Sequence, residues 1–269
     1  MSTEPATPSE MTYETLLFAQ DGPIARVTLN RPAAANGMND VMTRELADVA
    51  TRCAVPGTKV VVLTGAGRFF CAGGDLKAMA TSPLGPGPFV KGIADDLHRA
   101  ISTFARMDAV LITAVNGVAA GAGFSLGVSG DLVVASASAS FTMAYTKAGL
   151  SPDGAASYHL PRLIGARRTG DLMLTNRTLS AAEALDWGLV NYVADDADFA
   201  ARVDELAAGI ASGAAGSAAA VKKLLLASYD NDIETQMAFE AQLIAENADG
   251  ADGREGIDAF LNKRAPNYG

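Results

Sequence analysis

Few side chains in this sequence can carry chemistry. It has two histidines, His98 and His159, and two cysteines, Cys53 and Cys71. Two histidines exclude a multi-histidine metal site, and the cysteines form neither a CxxC pair nor a ligand cluster. Gly123-Phe124-Ser125-Leu126-Gly127 fits the GxSxG pattern of a nucleophilic serine, with Asp153 and His159 following in hydrolase order. Such a serine must sit on a turn directly between a strand and a helix. Here the apolar run ends near Val115, roughly ten residues earlier, so the serine-hydrolase reading is set aside. Asp153 itself lies in Gly149-Leu150-Ser151-Pro152-Asp153-Gly154, where Pro-Asp-Gly is also ordinary turn and helix-capping chemistry. The remaining chemistry is that of the backbone. Glycines crowd Ala72-Gly73-Gly74-Asp75 and the stretch from Gly117 to Gly123, where a ligand can approach bare N–H groups closely.

The elements that must position these groups follow from the apolar pattern. Thr12 to Gln20 and Ile24 to Asn30 read as two strands around Asp21-Gly22-Pro23, a hairpin signal. Met38, Met42, Leu46, Val49 and Cys53 recur at helical steps and predict a helix. Val60 to Thr64 is a β-branched run with the character of a strand covered on both faces. Ser82 to Pro88, rich in proline and glycine, predicts a mobile loop. The stripe Phe89, Ile93, Leu97, Ile101 and Phe104 then predicts a helix with His98 at its edge, as a partly buried structural histidine. Further strands are expected at Leu111 to Val115 and Leu132 to Ala135. Ser180-Ala181-Ala182-Glu183 is a capping box opening a helix that Gly188 ends. From Phe199 onward the chain is alanine-rich and helical.

Alternating strands and helices followed by helices alone predict an α/β fold with a helical C-terminal part. The expected division is a disordered lead-in over 1–11, a core over 12–198 and a helical region over 199–269. Gly65-x-Gly67 lacks the third glycine of a dinucleotide fingerprint. The net charge of −9 argues against nucleic acid as a partner. Ala109 to Gly130 carries no charge and is long enough to span a bilayer. Its glycines and Asn116 fit a buried strand, a tight loop and a core helix better, so no membrane partner is expected. The N-terminus has no signal-peptide pattern, and the isolated thiols point to a reducing, cytoplasmic setting.

Several segments, in order over roughly residues 12 to 268, resemble the crotonase (enoyl-CoA hydratase/isomerase) superfamily. They are Leu29-Asn30-Arg31-Pro32 with Asn36-Gly37-Met38-Asn39, Val61 to Gly65, Phe69 to Leu76, and Ala114 to Gly123. Leu160 to Gly165, Ala184 to Val190 and Glu255 to Arg264 complete the set. The resemblance implies a spiral of ββα turns and a C-terminal trimerisation region. It also implies a homotrimer or dimer of trimers, an acyl-CoA thioester as substrate, and no metal or redox cofactor. CoA is polyanionic, so this acidic chain must place basic groups locally to hold it.

Carried over residue by residue, the resemblance makes the N–H groups of Gly74 and Ala122 an oxyanion hole for the thioester oxygen. Ala122 stands where many relatives have glycine. Two glutamates add water in typical hydratases, and their positions here hold Ser125 and Tyr145. Neither can act as a carboxylate base, which argues against straight-chain hydration. Asp153 matches the proton-shuttling aspartate of related isomerases and the nucleophilic aspartate of aryl-CoA dehalogenases. Capping of the following helix is the alternative role. Some aryl-CoA relatives also carry a histidine at the position of His98. The CoA moiety is expected along Ala34 and Ala35, the segment Gly74-Asp75-Leu76-Lys77, and Phe260 with Lys263 of a neighbouring subunit. Those last two, three residues apart, are expected to share a helix face. Phe260 in the core and Lys263 as a solvated charge is the alternative. The leading expectation is an isomerase shuttling a proton with Asp153. Hydration, dehalogenation and a silent acyl-CoA-binding homologue remain alternatives.

Overall fold

A computed structural model describes residues 13–269. The lead-in expected over 1–11 and the expected strand start at Thr12 lie outside these residues. The chain opens with a hairpin of β1 (Leu16–Asp21) and β2 (Ile24–Leu29). Helix α1 (Asp40–Cys53) follows, its start capped by Asn39, which accepts from Met42 N–H. Next come β3 (Val60–Gly65), β4 (Phe69–Cys71), α2 (Leu76–Thr81) and α3 (Pro86–Arg106). Helix α3 begins inside the segment expected as a loop. Pro86 sits in its first turn, where a missing N–H costs no intrahelical bond.

The uncharged stretch from Ala109 forms β5 (Val110–Val115), β6 (Val118–Ala120) and α4 (Ala122–Gly127). No single helix among the described residues is long and apolar enough to cross a membrane. The chain goes on through β7 (Leu132–Ser136), β8 (Ser140–Thr142) and α5 (Ala156–Thr175), which is broken at Gly165. After β9 (Leu179–Ser180) comes α6 (Ala181–Asp186), opened by the expected capping box of Ser180 and Glu183. β10 (Tyr192–Ala194) precedes four closing helices, α7 (Phe199–Ala211), α8 (Ala215–Ala227), α9 (Ile233–Asp249) and α10 (Ala251–Leu261).

The strands build two sheets, ordered β1-β2-β3-β5-β7-β10 and β4-β6-β8-β9. Each successive passage gives one strand to each sheet: β3 then β4, β5 then β6, β7 then β8. These central strands pair in parallel with the next passage, so the chain climbs as a spiral. Alternate residues of β3 explain its β-branched run. Val61 and Leu63 face the main core, while Val60 and Val62 face a second cluster made with Val203 and Ala207 of α7. Polar side chains stitch the corners between sheets. Fully buried Asn36 donates to Phe69 O (2.8 Å) and Ala66 O (3.0 Å), and Asn116 accepts from Gly65 N–H (3.0 Å).

Candidate active site

The two glycine-dense segments meet in one wall. A parallel bridge pairs Met38 with Gly74. Met38 N–H donates to Gly73 O and Asp75 N–H donates to Met38 O, both at 2.8 Å. In such a bridge the central residue's own N–H points the other way. Gly74 N–H has no backbone acceptor in the loops and turns of the described residues. Ala122 is the first residue of α4, so its N–H has no intrahelical acceptor either. Gly73 brings the two together. A Cβ there would lie 2.8 Å from Ala120 O and 3.3 Å from Ala122 N, and φ is +96°. Only glycine allows that approach at that φ.

Side-chain bonds hold this wall. Arg31 donates to Gly37 O and pairs with Asp75 at 3.1 Å. Asp75 also accepts from Ala78 N–H (3.0 Å) and so caps α2. Burial alone would raise the Asp75 carboxyl. The Ala78 N–H and the Arg31 guanidinium outweigh it and keep the carboxyl below its usual value. Cys71, fully buried, places Sγ 3.0 Å from Asn36 O and accepts from Gly73 N–H at 3.3 Å. Burial pushes its thiol up to about 12, so it is an uncharged brace and not a nucleophile.

Gly74 and Ala122 line a cavity of about 400 Å³. Its walls are largely apolar, with Met38, Met79, Ile93, Leu97 and Leu150, and it also takes in Tyr145 and Asp153. Among the described residues Asp153 is the only carboxylate lining it. The Asp153 carboxylate makes no hydrogen bond to the N–H groups opening α5. It meets His98 Nε2 at 2.5 Å. The helix-cap alternative therefore does not describe its side chain. His98, expected as a partly buried structural histidine, is half-exposed and hydrogen-bonded, and its partner is the carboxylate that lines the cavity. It lies on an outer groove formed with Arg44, Asp48 and Ser102 while its ring reaches Asp153.

Ser125 and Tyr145 come together although they lie on different passages of the spiral. Their hydroxyls are 3.0 Å apart, and both reach Asp153 O, at 2.8 Å and 3.3 Å. The expected strand, β5, ends at Val115 as read, and a further short strand, β6, precedes α4. Ser125 nonetheless lies inside α4 and is 1% exposed, so it is no nucleophile elbow. Burial pushes the Tyr145 phenol well up, opposed by its bond to Ser125, so it stays protonated at neutral pH.

The expected CoA-contacting residues are spread over three places. Ala34 ends a short 3-10 turn and is exposed. Ala35 is left-handed (φ 51°) and accepts from Ala72 N–H at 3.0 Å, beside the Gly74 turn. Leu76, at the start of α2, is exposed and lines the mouth of the cavity with Gly74, while Lys77 is exposed beside it. Phe260 and Lys263 lie at the far C-terminal end. They do not share a helix face, because α10 ends at Leu261 and Lys263 turns left-handed (φ 52°) beyond it. Phe260 is 84% exposed and so is not core either. Among the described residues no group of three potential ligands could hold a metal ion.

A family model described as enoyl-CoA hydratase/isomerase matches residues 19–269. The chain belongs to the enoyl-CoA hydratase/isomerase family. The 1,2-epoxyphenylacetyl-CoA isomerase of Escherichia coli strain K12 is 37% identical, with 91% of this chain and 94% of the relative covered. The 4-chlorobenzoyl coenzyme A dehalogenase-1 of an Arthrobacter species is 31% identical over 89% of this chain and 88% of the relative. The crystal structure of an enoyl-CoA hydratase from Polaromonas sp. JS666 superimposes with a TM-score of 0.89 at 32% identity. It covers 94% of this chain and 99% of the other. Membership in this family, whose relatives are named for isomerase, hydratase and dehalogenase activities, makes the chain an acyl-CoA-processing enzyme with the crotonase fold.

Sequence reasoning missed two features of the site, the His98–Asp153 contact and the Ser125–Tyr145 pairing. The signals for the first were that His98 sits at the edge of an apolar stripe facing the interior and at a position where some aryl-CoA relatives carry histidine.

Proposed function

We propose that this enzyme is an acyl-CoA isomerase that moves a proton along the acyl group with Asp153. The thioester oxygen would accept hydrogen bonds from Gly74 and Ala122 N–H. Asp153 removes a proton from one acyl carbon, and the C–H electron pair moves through the conjugated system onto that oxygen. The same proton returns to a different carbon, the thioester carbonyl re-forms, and the double bond has shifted. Donors fixed beforehand toward the developing charge lower the barrier without reorganising. The step is redox-neutral, CoA arrives as part of the substrate, and no separate cofactor takes part in this reading. The observation that carries it is that Asp153 is the only carboxylate lining the cavity among the described residues, while Ser125 and Tyr145 are hydroxyls bonded to each other. The CoA moiety would lie along Ala35 and the Gly74–Lys77 segment. Phe260 and Lys263 would reach it from a neighbouring subunit of a homotrimer or dimer of trimers.

The contact between His98 and Asp153 favours a second reading. A carboxylate that attacks an aryl- or acyl-CoA needs a neighbouring base to activate water afterwards, and an imidazole can serve. A panel of 2-enoyl-, 3-enoyl-, ring-unsaturated and halogenated aryl-CoA thioesters separates the two. The isomerase reading expects double-bond movement, negligible hydration of crotonyl-CoA and no halide release. Asp153→Asn is expected to lower turnover by about a hundred- to ten-thousandfold while acyl-CoA affinity survives. Crotonyl-CoA hydration at the speed of fast hydratases, or an Asp153→Asn variant with near-wild-type turnover, sinks the reading. Binding of the whole panel without turnover of any member would point to a silent homologue.

A further inference from the structure

We infer that Ser125 and Tyr145 are positioning residues that hold the Asp153 backbone so that its carboxylate faces the acyl group. The inference rests on the reading of Asp153 as the proton carrier. Both hydroxyls converge on one atom, Asp153 O. They have two protons for four contacts, the weakest being Ser125 Oγ to Gly121 O at 3.4 Å, so the arrangement is a relay. Ser125 donates to Asp153 O at 2.8 Å, and Tyr145 divides its proton between Ser125 Oγ at 3.0 Å and Asp153 O at 3.3 Å.

The backbone at this place needs holding. Gly154 (φ +62°) and Ala155 (φ 59°) are both left-handed, which for Ala155 is sterically costly. Such a conformation persists only where surroundings over-determine it. Besides the two hydroxyls, the only bond to Asp153 O among the described residues is a long one, 3.3 Å, from Ala156 N–H. Gly154 also packs directly on Ser125. A Cβ at position 154 would lie 2.8 Å from Ser125 Cβ. With the carbonyl fixed on one side and the carboxylate against His98 on the other, the Asp153 side chain has little room to swing. A misplacement of about 1 Å at a reacting group can cost on the order of a hundredfold in rate.

The test is a double-mutant comparison in the full-length enzyme. The probe is the 3-enoyl- or ring-unsaturated acyl-CoA that the wild type isomerises. Ser125→Ala/Tyr145→Phe is expected to lower kcat about ten- to a hundredfold. KM should stay within about threefold, because the thioester is still held by the oxyanion hole. In an Asp153→Asn background the same pair of substitutions is expected to change the residual turnover by less than about twofold, since the hydroxyls act only through Asp153. Equal losses in both backgrounds would mean a merely structural role and overturn the proposal. Wild-type kcat in the double variant overturns it too. A silent Asp153→Asn overturns the isomerase reading and this proposal together, whereas an inactive Asp153→Asn beside an unaffected double variant removes the clamp alone. If the double variant fails to fold, Tyr145→Phe, which keeps the ring, decides by the same comparison.

Discussion

Lys222 offers a sharp test of how the C-terminal helices are joined to the spiral. It lies in α8 with only 6% of its side chain exposed. Its ammonium donates to Phe104 O (2.6 Å) and Ala109 O (2.9 Å) and pairs with Asp131 at 2.7 Å. Burial lowers the Lys222 ammonium and raises the Asp131 carboxyl, in each case against the pull of the partner. Loss of water thus outweighs attraction on both sides. The pair adds little beyond what an apolar filling would give, but removing Lys222 leaves a partly buried carboxylate without its counter-charge and two carbonyls without the ammonium donor. Lys222→Met is therefore expected to destabilise the protein by about 3–5 kcal/mol. Adding Asp131→Asn removes the stranded charge and keeps an acceptor for Leu111 N–H, which now donates to Asp131 at 2.7 Å. That second change is expected to restore about 2 kcal/mol. Urea unfolding followed by Trp187 fluorescence at fixed protein concentration measures both. A cost below about 1 kcal/mol for Lys222→Met, or losses that simply add in the double variant, would refute the reasoning.

Three further outcomes are expected. Gly123→Ala would place a Cβ 2.2 Å from Cys71 O, forcing apart the wall that carries Gly74 and Ala122. Turnover should fall about a hundredfold with some loss of thermal stability, and near-wild-type kinetics would contradict the assignment of Ala122 N–H. His159 is lowered from its ordinary 6.5 by burial and then by Arg162. The unfolded chain therefore takes up a proton first as pH falls, and stability should drop from about pH 6.5 downward. His159→Gln should show less of that loss between urea midpoints at pH 7 and pH 5, and an unchanged pH slope would refute the assignment. Phe260, Ile244 and Leu261 are 84%, 72% and 73% exposed, so light scattering should find a trimer or hexamer, and a stable active monomer would remove the intersubunit placement of Phe260 and Lys263.

Much of the fold was legible because it depends on neighbours in sequence. The β-branched run at Val60 and the Ser180–Glu183 box act over a few residues, and both form as expected. Short strands such as β6 were not legible, since three residues in a glycine-rich stretch carry no period of their own. The family resemblance, carried over residue by residue, singled out Gly74, Ala122 and Asp153, which the structure brings to one cavity. His98 is 55 residues from Asp153 in sequence, and only the stacking of α3 over the Asp153 loop makes them partners. The Phe260–Lys263 face failed for a local reason, the end of α10 at Leu261, which three-residue spacing does not reveal.

The spiral also has an order in time. During synthesis, each passage can be laid against one already made, because β5 pairs with β3 and β7 with β5. Ribosomes extend chains at roughly 5–20 residues per second, so this layering keeps pace with emergence of the chain. The edge of β7 must wait for β10, and Asp131 must wait for Lys222. Nascent chains that end between Asp153 and β10 carry Gly74, Ala122 and Asp153 but have an open sheet edge and a partly buried acid without its counter-charge. The later segments β10 and α8 complete the parts that make the earlier ones durable, and chains stopped short of them are expected to be substrates for chaperones.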